Sequence, residues 1–218
     1  MSEGRRRLER PATIAFEGDA GRRGLVLEGL LLPVAADDPA GGAVIAAPHP
    51  LYGGSMDSPV VSELAFACEE AGIPSLRFNW RGVGASAGAT SGDSEDAASD
   101  YRAALEFLTD SVEGPAVACG YSFGAAAAVR ASQGRPHVRR LLLVAPPPAL
   151  LDTAILSRFP GRVLIAVGEN DAIASPRQLE AIAHNLEAAQ LEIIPDADHF
   201  FMTSLRTLEK VAHAWLCY

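Results

Sequence analysis

Two kinds of apolar run alternate along the chain. The first is short and unbroken: Ala43–Ala47 (AVIAA), PAVAC at 115–119, LLLVA at 141–145 and VLIAV at 163–167. A run with no polar alternation suits a strand buried on both faces. The second kind repeats at i, i+3, i+4, i+7, which is one face of a helix. It predicts helices over Pro59–Ala71, with Val60, Leu64, Ala67 and Cys68 on one side, and over Glu95–Thr109, with Tyr101, Ala104, Leu105 and Leu108. The alanine-rich Phe123–Ser132, Pro176–Glu187 and Ser204–Trp215 extend the helical set. Thr13–Phe16 and Leu25–Leu32 read as two opening strands that could form a hairpin. Ile73–Trp80, Ala116–Gly120, Arg140–Ala145, Arg162–Gly168 and Leu191–Ile194 read as further strands. The Gly, Ala, Ser, Thr and Asp-rich stretch Gly82–Ser99 reads as a long loop.

Buried strands alternating with helices of this length predict an α/β chain: a doubly wound, mostly parallel sheet with helices on both faces. In such open sheets, sites gather at the carboxyl ends of the strands. No repeat and no linker interrupts the pattern. Residues 1–218 therefore read as a single domain, with 1–11 as a flexible tail that holds Arg5–Arg7.

Charge narrows the partners. The chain has 18 basic and 27 acidic residues, a net −9, and nucleic acid and anionic membranes repel such a surface. The basic clusters, Arg5–Arg7 and Arg139–Arg140, are short. No apolar stretch reaches the ~20 residues of a membrane span, and no apolar segment follows the N-terminal arginines as a secretory signal requires. Cys68, Cys119 and Cys217 have neither metal-ligand spacing nor an even count, so they read as reduced thiols. The expectation is a cytoplasmic protein with no metal, no cofactor, no nucleic-acid or membrane partner, and either a monomer or a homodimer. The absence of a G-x-G-x-x-G between the first strand and first helix argues against dinucleotide binding.

The sequence G-x-S-x-G occurs twice, as Gly84-Ala-Ser86-Ala-Gly88 and Gly120-Tyr-Ser122-Phe-Gly124. Its mechanical meaning separates the two. A nucleophilic serine of this type sits on a sharp strand-to-helix turn, where flanking glycines leave room for the backbone. Ser122 stands between a buried strand and a helix, whereas Ser86 lies inside the polar loop. A hydroxyl needs a base to remove its proton. His184 and His213 fall within predicted helices, and His137 follows a proline in a polar connection. His199, in the loop Pro-Asp-Ala-Asp-His-Phe-Phe after the strand Leu191–Ile194, is placed to reach Ser122. Asp171, just after the strand Arg162–Gly168, is the candidate acid that orients it.

These motifs resemble the α/β-hydrolase superfamily, in particular its small lidless bacterial serine hydrolases related to the dienelactone hydrolase-like group. The resemblance runs from about Thr13 to Trp215. It rests on Pro48-His49-Pro50-Leu51-Tyr52-Gly53-Gly54-Ser55-Met56, on Phe78-Asn79-Trp80-Arg81-Gly82-Val83-Gly84-Ala85-Ser86, on the Ser122 motif, on Gly168-Glu169-Asn170-Asp171, and on Asp198-His199-Phe200-Phe201. It implies a Ser122–Asp171–His199 triad that cleaves an ester or thioester of a small acyl substrate through an acyl-enzyme. A peptidase is a weaker expectation, and a non-catalytic binding or scaffold protein is the alternative from another class. Arg81 is expected to be a structural ion-pair residue. Serine at 122 departs from the cysteine of dienelactone hydrolases proper. The backbone N–H groups of Phe123 and Leu51 are the expected oxyanion donors, with His49 supporting that loop. Tyr52, Gly53 and Tyr121, beside them in sequence, are expected to contact substrate. The short interval from Ala145 to Arg162 leaves no room for a large lid.

Overall fold

The apolar runs become the inner strands of a sheet. The computed structural model describes residues 8–18, 22–34 and 41–218. Its strands are β1 (Arg10–Gly18), β2 (Arg22–Leu32), β3 (Gly42–Ala46), β4 (Ser75–Phe78), β5 (Ala116–Tyr121), β6 (Val138–Val144), β7 (Arg162–Gly168) and β8 (Ala189–Ile194). They lie in the order β1-β2-β4-β3-β5-β6-β7-β8. β1–β2 and β2–β4 pair antiparallel, and every other neighbouring pair is parallel. β3 and β5 are buried at every residue, as unalternated apolar runs require. From β3 the chain steps to one side to β4, and from β5 onward it steps to the other. The switch point therefore lies between β3 and β5, where a ligand crevice opens at the carboxyl ends.

The helices are α1 (Pro59–Glu70), α2 (Ser94–Ser111), α3 (Phe123–Ser132), α4 (Thr153–Leu156), α5 (Pro176–Ala183) and α6 (Leu205–Leu216). α1 packs against α6, and α2 against α3. Asp93 caps α2 by accepting from the N–H groups of Glu95 and Asp96, so the loop expected to run to Ser99 ends six residues earlier. α5 stops at Ala183, short of Glu187, because β8 begins at Ala189. The strand expected over Ile73–Trp80 shortens to Ser75–Phe78: Pro74 has no N–H for the ladder, and after Asn79, whose N–H still donates to Glu28 O of β2, the chain enters a turn that Val83 N–H closes on Trp80 O. β1 starts at Arg10, inside the segment expected to be tail, and Glu9 is held in a bidentate ion pair with Arg77 at 2.6–2.7 Å. Residues 1–7 of that segment lie outside the described residues.

The second G-x-S-x-G has a structural task. Ser86, 8% exposed, donates to Asn79 O and accepts from Glu28 N–H, both at 2.9 Å. Asn79 in turn donates to the Glu28 carboxylate at 2.8 Å and accepts from Met56 N–H at 2.9 Å. This network ties the 82–88 turn to β2 and anchors the far end of the loop that follows β3. Arg81 pairs with Asp96 and Asp100 of α2, which fixes the start of the same turn on the helix. Burial raises the Asp100 carboxyl above its ordinary range, opposed by the Arg81 guanidinium.

Candidate active site

β5 delivers Ser122 to the switch point with φ +55° and ψ −117°, a region that residues with a Cβ seldom occupy. The sequence allows it because both flanking glycines are sites of close approach. A Cβ at Gly120 would lie 2.2 Å from Gly124 O, and one at Gly124 would lie 2.5 Å from Ala46 O and Ala47 O. Ser122 N–H donates to Val144 O at 2.8 Å and Ser122 O accepts from Ala125 N–H at 3.0 Å, so the turn is held from both sides. The Phe123 N–H, first of α3, makes no hydrogen bond among the described residues and stands at the positive end of the helix dipole.

The loops after β7 and β8 bring up the two partners. His199 Nε2 lies 3.0 Å from Ser122 Oγ, and His199 Nδ1 lies 2.7 Å from Asp171 Oδ2. A carboxylate only accepts, so the Nδ1 atom of the neutral imidazole carries the proton and Nε2 is left to accept from Ser122. Asp171 Oδ1 accepts from the Ile173 and Ala174 N–H groups at 2.8 and 2.7 Å, which sets the carboxylate plane. Asp198 shapes the His199 turn by accepting from Phe200 and Phe201 N–H, both at 3.0 Å. Asp196 and Phe201 flank this turn with φ +57° and +55°. Ser122, Asp171 and His199 are all buried, at 8%, 5% and 6% exposure.

The other expected contacts divide. Tyr121 reaches the pocket wall, but its hydroxyl donates to His199 O at 2.9 Å, so its phenol positions the histidine loop. Burial pushes that phenol well up, with the Asp171 and Asp198 charges adding, which keeps it a donor. Tyr52 and Gly53 line the pocket, and Gly53 closes the 3-10 turn Pro50–Tyr52 with φ +81°. Leu51 differs from expectation. It does not line the pocket, and its N–H donates to His49 Nδ1 at 3.2 Å. The reason is local: Pro50 starts the 3-10 turn and His49 caps it. Of the two expected oxyanion donors, only the Phe123 N–H stands open. Burial lowers the His49 imidazole below its ordinary value, consistent with its acceptor role. Its ring packs against Tyr52 and Phe123 at 4.8 and 4.5 Å between centroids.

The pocket over Ser122 has a volume of about 730 Å³. Sequence reasoning missed much of its wall: Val60 from α1, Leu150 from the β6–β7 connection, Ile173 after β7, and Phe200 and Met202 after β8. Val60 belongs to the periodic face of α1 and reads as core, and the other four are single apolar residues in loops with no periodicity to mark them. Among the described residues, no three His, Cys, Asp or Glu side chains gather as metal ligands, and no helix is long and apolar enough to cross a membrane.

A mostly parallel eight-stranded sheet with a strained serine at its switch point, followed in order by an aspartate and a histidine at strand ends, defines an α/β serine hydrolase fold. Comparisons with known proteins agree. The family described as serine aminopeptidase, S33, matches residues 51–153. The chain is 30% identical over 185 residues to an uncharacterized protein of Rickettsia prowazekii (strain Madrid E), spanning 80% of this chain and 77% of that one. An α/β serine hydrolase homologue from Coxiella burnetii superposes with a TM-score of 0.84 at 27% identity, over 94% of this chain and 97% of its own. A serine hydrolase without a lid from Xanthomonas campestris superposes with a TM-score of 0.77 at 29% identity, over 94% and 92%. The chain belongs to the α/β-hydrolase superfamily, in its lidless group. In keeping with that, β6 and β7 are joined by residues 145–161, whose one helix is the four-residue α4.

Proposed function

We propose that the protein is a serine hydrolase that cleaves an ester or thioester of a small acyl substrate through an acyl-enzyme on Ser122. The observation that carries this reading is the unbroken Ser122–His199–Asp171 chain at 3.0 and 2.7 Å, built on a strained turn. Ser122 Oγ attacks the carbonyl carbon while His199 Nε2 takes its proton. Asp171 holds the tautomer and stabilises the imidazolium that forms. The same imidazolium then protonates the leaving alkoxide or thiolate. Water repeats the sequence on the acyl-enzyme, and His199 again acts first as base and then as acid. The oxyanion takes the Phe123 N–H. In comparable sites one such donor contributes roughly 100- to 1000-fold in turnover.

The test is covalent labelling with a fluorophosphonate in wild type, Ser122→Ala and Ser86→Ala, followed by peptide mapping. Labelling of wild type and Ser86→Ala at Ser122, with none in Ser122→Ala, supports the reading. A folded wild type that takes no label refutes it and points to a binding protein. A panel of 4-nitrophenyl esters, acyl thioesters and aminoacyl anilides then ranks the leaving groups, the anilide arm testing the peptidase chemistry named in the matching family.

A further inference from the structure

The pocket around Ser122 carries a charge pattern that bears on which acyl groups enter. Among the described residues no lysine or arginine lines it, and apart from the histidines and tyrosines the one ionisable side chain is Asp57. Behind that wall, Arg77 is already engaged. Its Nε and Nη2 grip Glu9 at 2.7 and 2.6 Å, and its Nη1 donates to Met56 O at 2.6 Å and to Asp57 at 3.5 Å. Arg77, Glu9 and Asp57 together carry one net negative charge, on a chain of net −9. The rim adds a second observation. Tyr52, Ile173, Phe200 and Met202 line the mouth while remaining 87%, 54%, 58% and 64% exposed. Apolar side chains left in water around a pocket mark where an apolar ligand is completed by the protein.

We infer, resting on the hydrolase reading above, that the site takes neutral esters with an apolar acyl part and turns away acyl groups that carry a carboxylate, with Asp57 as a specificity-determining residue. A carboxylate entering this pocket sheds water and meets no cation among the described residues, and Asp57 repels it. The hydroxyls of Tyr52, Ser55 and Ser58 in the wall are neutral and bring no charge to pair with it. Because the Asp57 side chain is 72% exposed, its own share is screened by water and salt. Most of the discrimination then comes from the missing cation.

The test compares 4-nitrophenyl hexanoate with mono-4-nitrophenyl adipate at pH 7.5. The two share a leaving group and a six-carbon acyl chain, and they differ in a terminal methyl against a carboxylate. The expected kcat/KM is about 100-fold lower for the adipate, the scale on which a pocket refuses a group it cannot pair. Asp57→Asn narrows that ratio by about threefold at low salt, and by less at high salt. A ratio within threefold in wild type overturns the inference. A large ratio that Asp57→Asn leaves unchanged overturns the role of Asp57. Fluorophosphonate labelling separates the levels: label at Ser122 with neither ester cleaved sinks this inference and leaves the hydrolase reading standing, whereas no label at all sinks both.

Discussion

Replacing Asp171 by asparagine changes one atom, and the structure says which way the new amide must lie. Oδ1 accepts from Ile173 and Ala174 N–H, and Oδ2 accepts from His199 Nδ1. If the amide nitrogen faced the two backbone donors, both would lose their acceptor, at about 1–3 kcal/mol each. The other orientation keeps those two bonds and turns the NH2 toward His199. The imidazole must then present a bare Nδ1 and carry its proton on Nε2, against Ser122 Oγ. In that tautomer His199 cannot accept the serine proton. By analogy with the chymotrypsin-type triad, kcat falls roughly 10⁴-fold, or about 5.4 kcal/mol of barrier. Stability changes little, because the two backbone bonds survive with a neutral acceptor. A loss of about 1 kcal/mol corresponds to roughly 2–4 °C in a chain of this size. Stopped assays with a 4-nitrophenyl ester measure the first quantity and calorimetry the second. If Asp171→Asn stays within tenfold of wild-type kcat, Asp171 does not set the tautomer and the argument fails.

Ser86→Ala strands the Glu28 N–H and the Asn79 carbonyl, so it should cost about 1–3 kcal/mol while fluorophosphonate labelling at Ser122 persists. Denaturant titration reads the first effect and mass spectrometry the second. Gly124→Ala drives a Cβ to 2.5 Å from Ala46 O and Ala47 O, and at least about 3 kcal/mol of destabilisation or loss of soluble protein is expected on expression and melting. Glu209 is buried beside Glu70; burial first, then the hydrogen bond with Glu70 and the Glu70 and Glu63 charges, raise its carboxyl above the ordinary value. A raised acid destabilises the fold above its folded-state pKa and not below its unfolded one. Glu209→Gln should therefore raise the melting temperature at pH 7–8, and the gain should vanish as pH falls toward about 4.

Much of the site was written in local pattern. A strained serine needs its glycines within two residues, and a buried parallel strand needs an unbroken apolar run, so Ser122 at the end of β5 could be read from the chain. The order serine, aspartate, histidine at successive strand ends followed from the alternation of strands and helices. Other features depend on partners far apart in sequence. Ser86 looks like a loop serine until Glu28, 58 residues earlier, closes on it. Tyr121 stands beside Ser122 in sequence, but that its hydroxyl holds His199 O, 78 residues on, appears only in the fold. Leu51 looks like an open donor until the His49 ring turns onto its N–H. Backbone conformation and burial period are set by neighbours along the chain, and sequence reports them. Which donor is free, which cation is engaged and which apolar side chains ring the pocket are settled when strands distant in sequence pack side by side, and only the folded chain decides them.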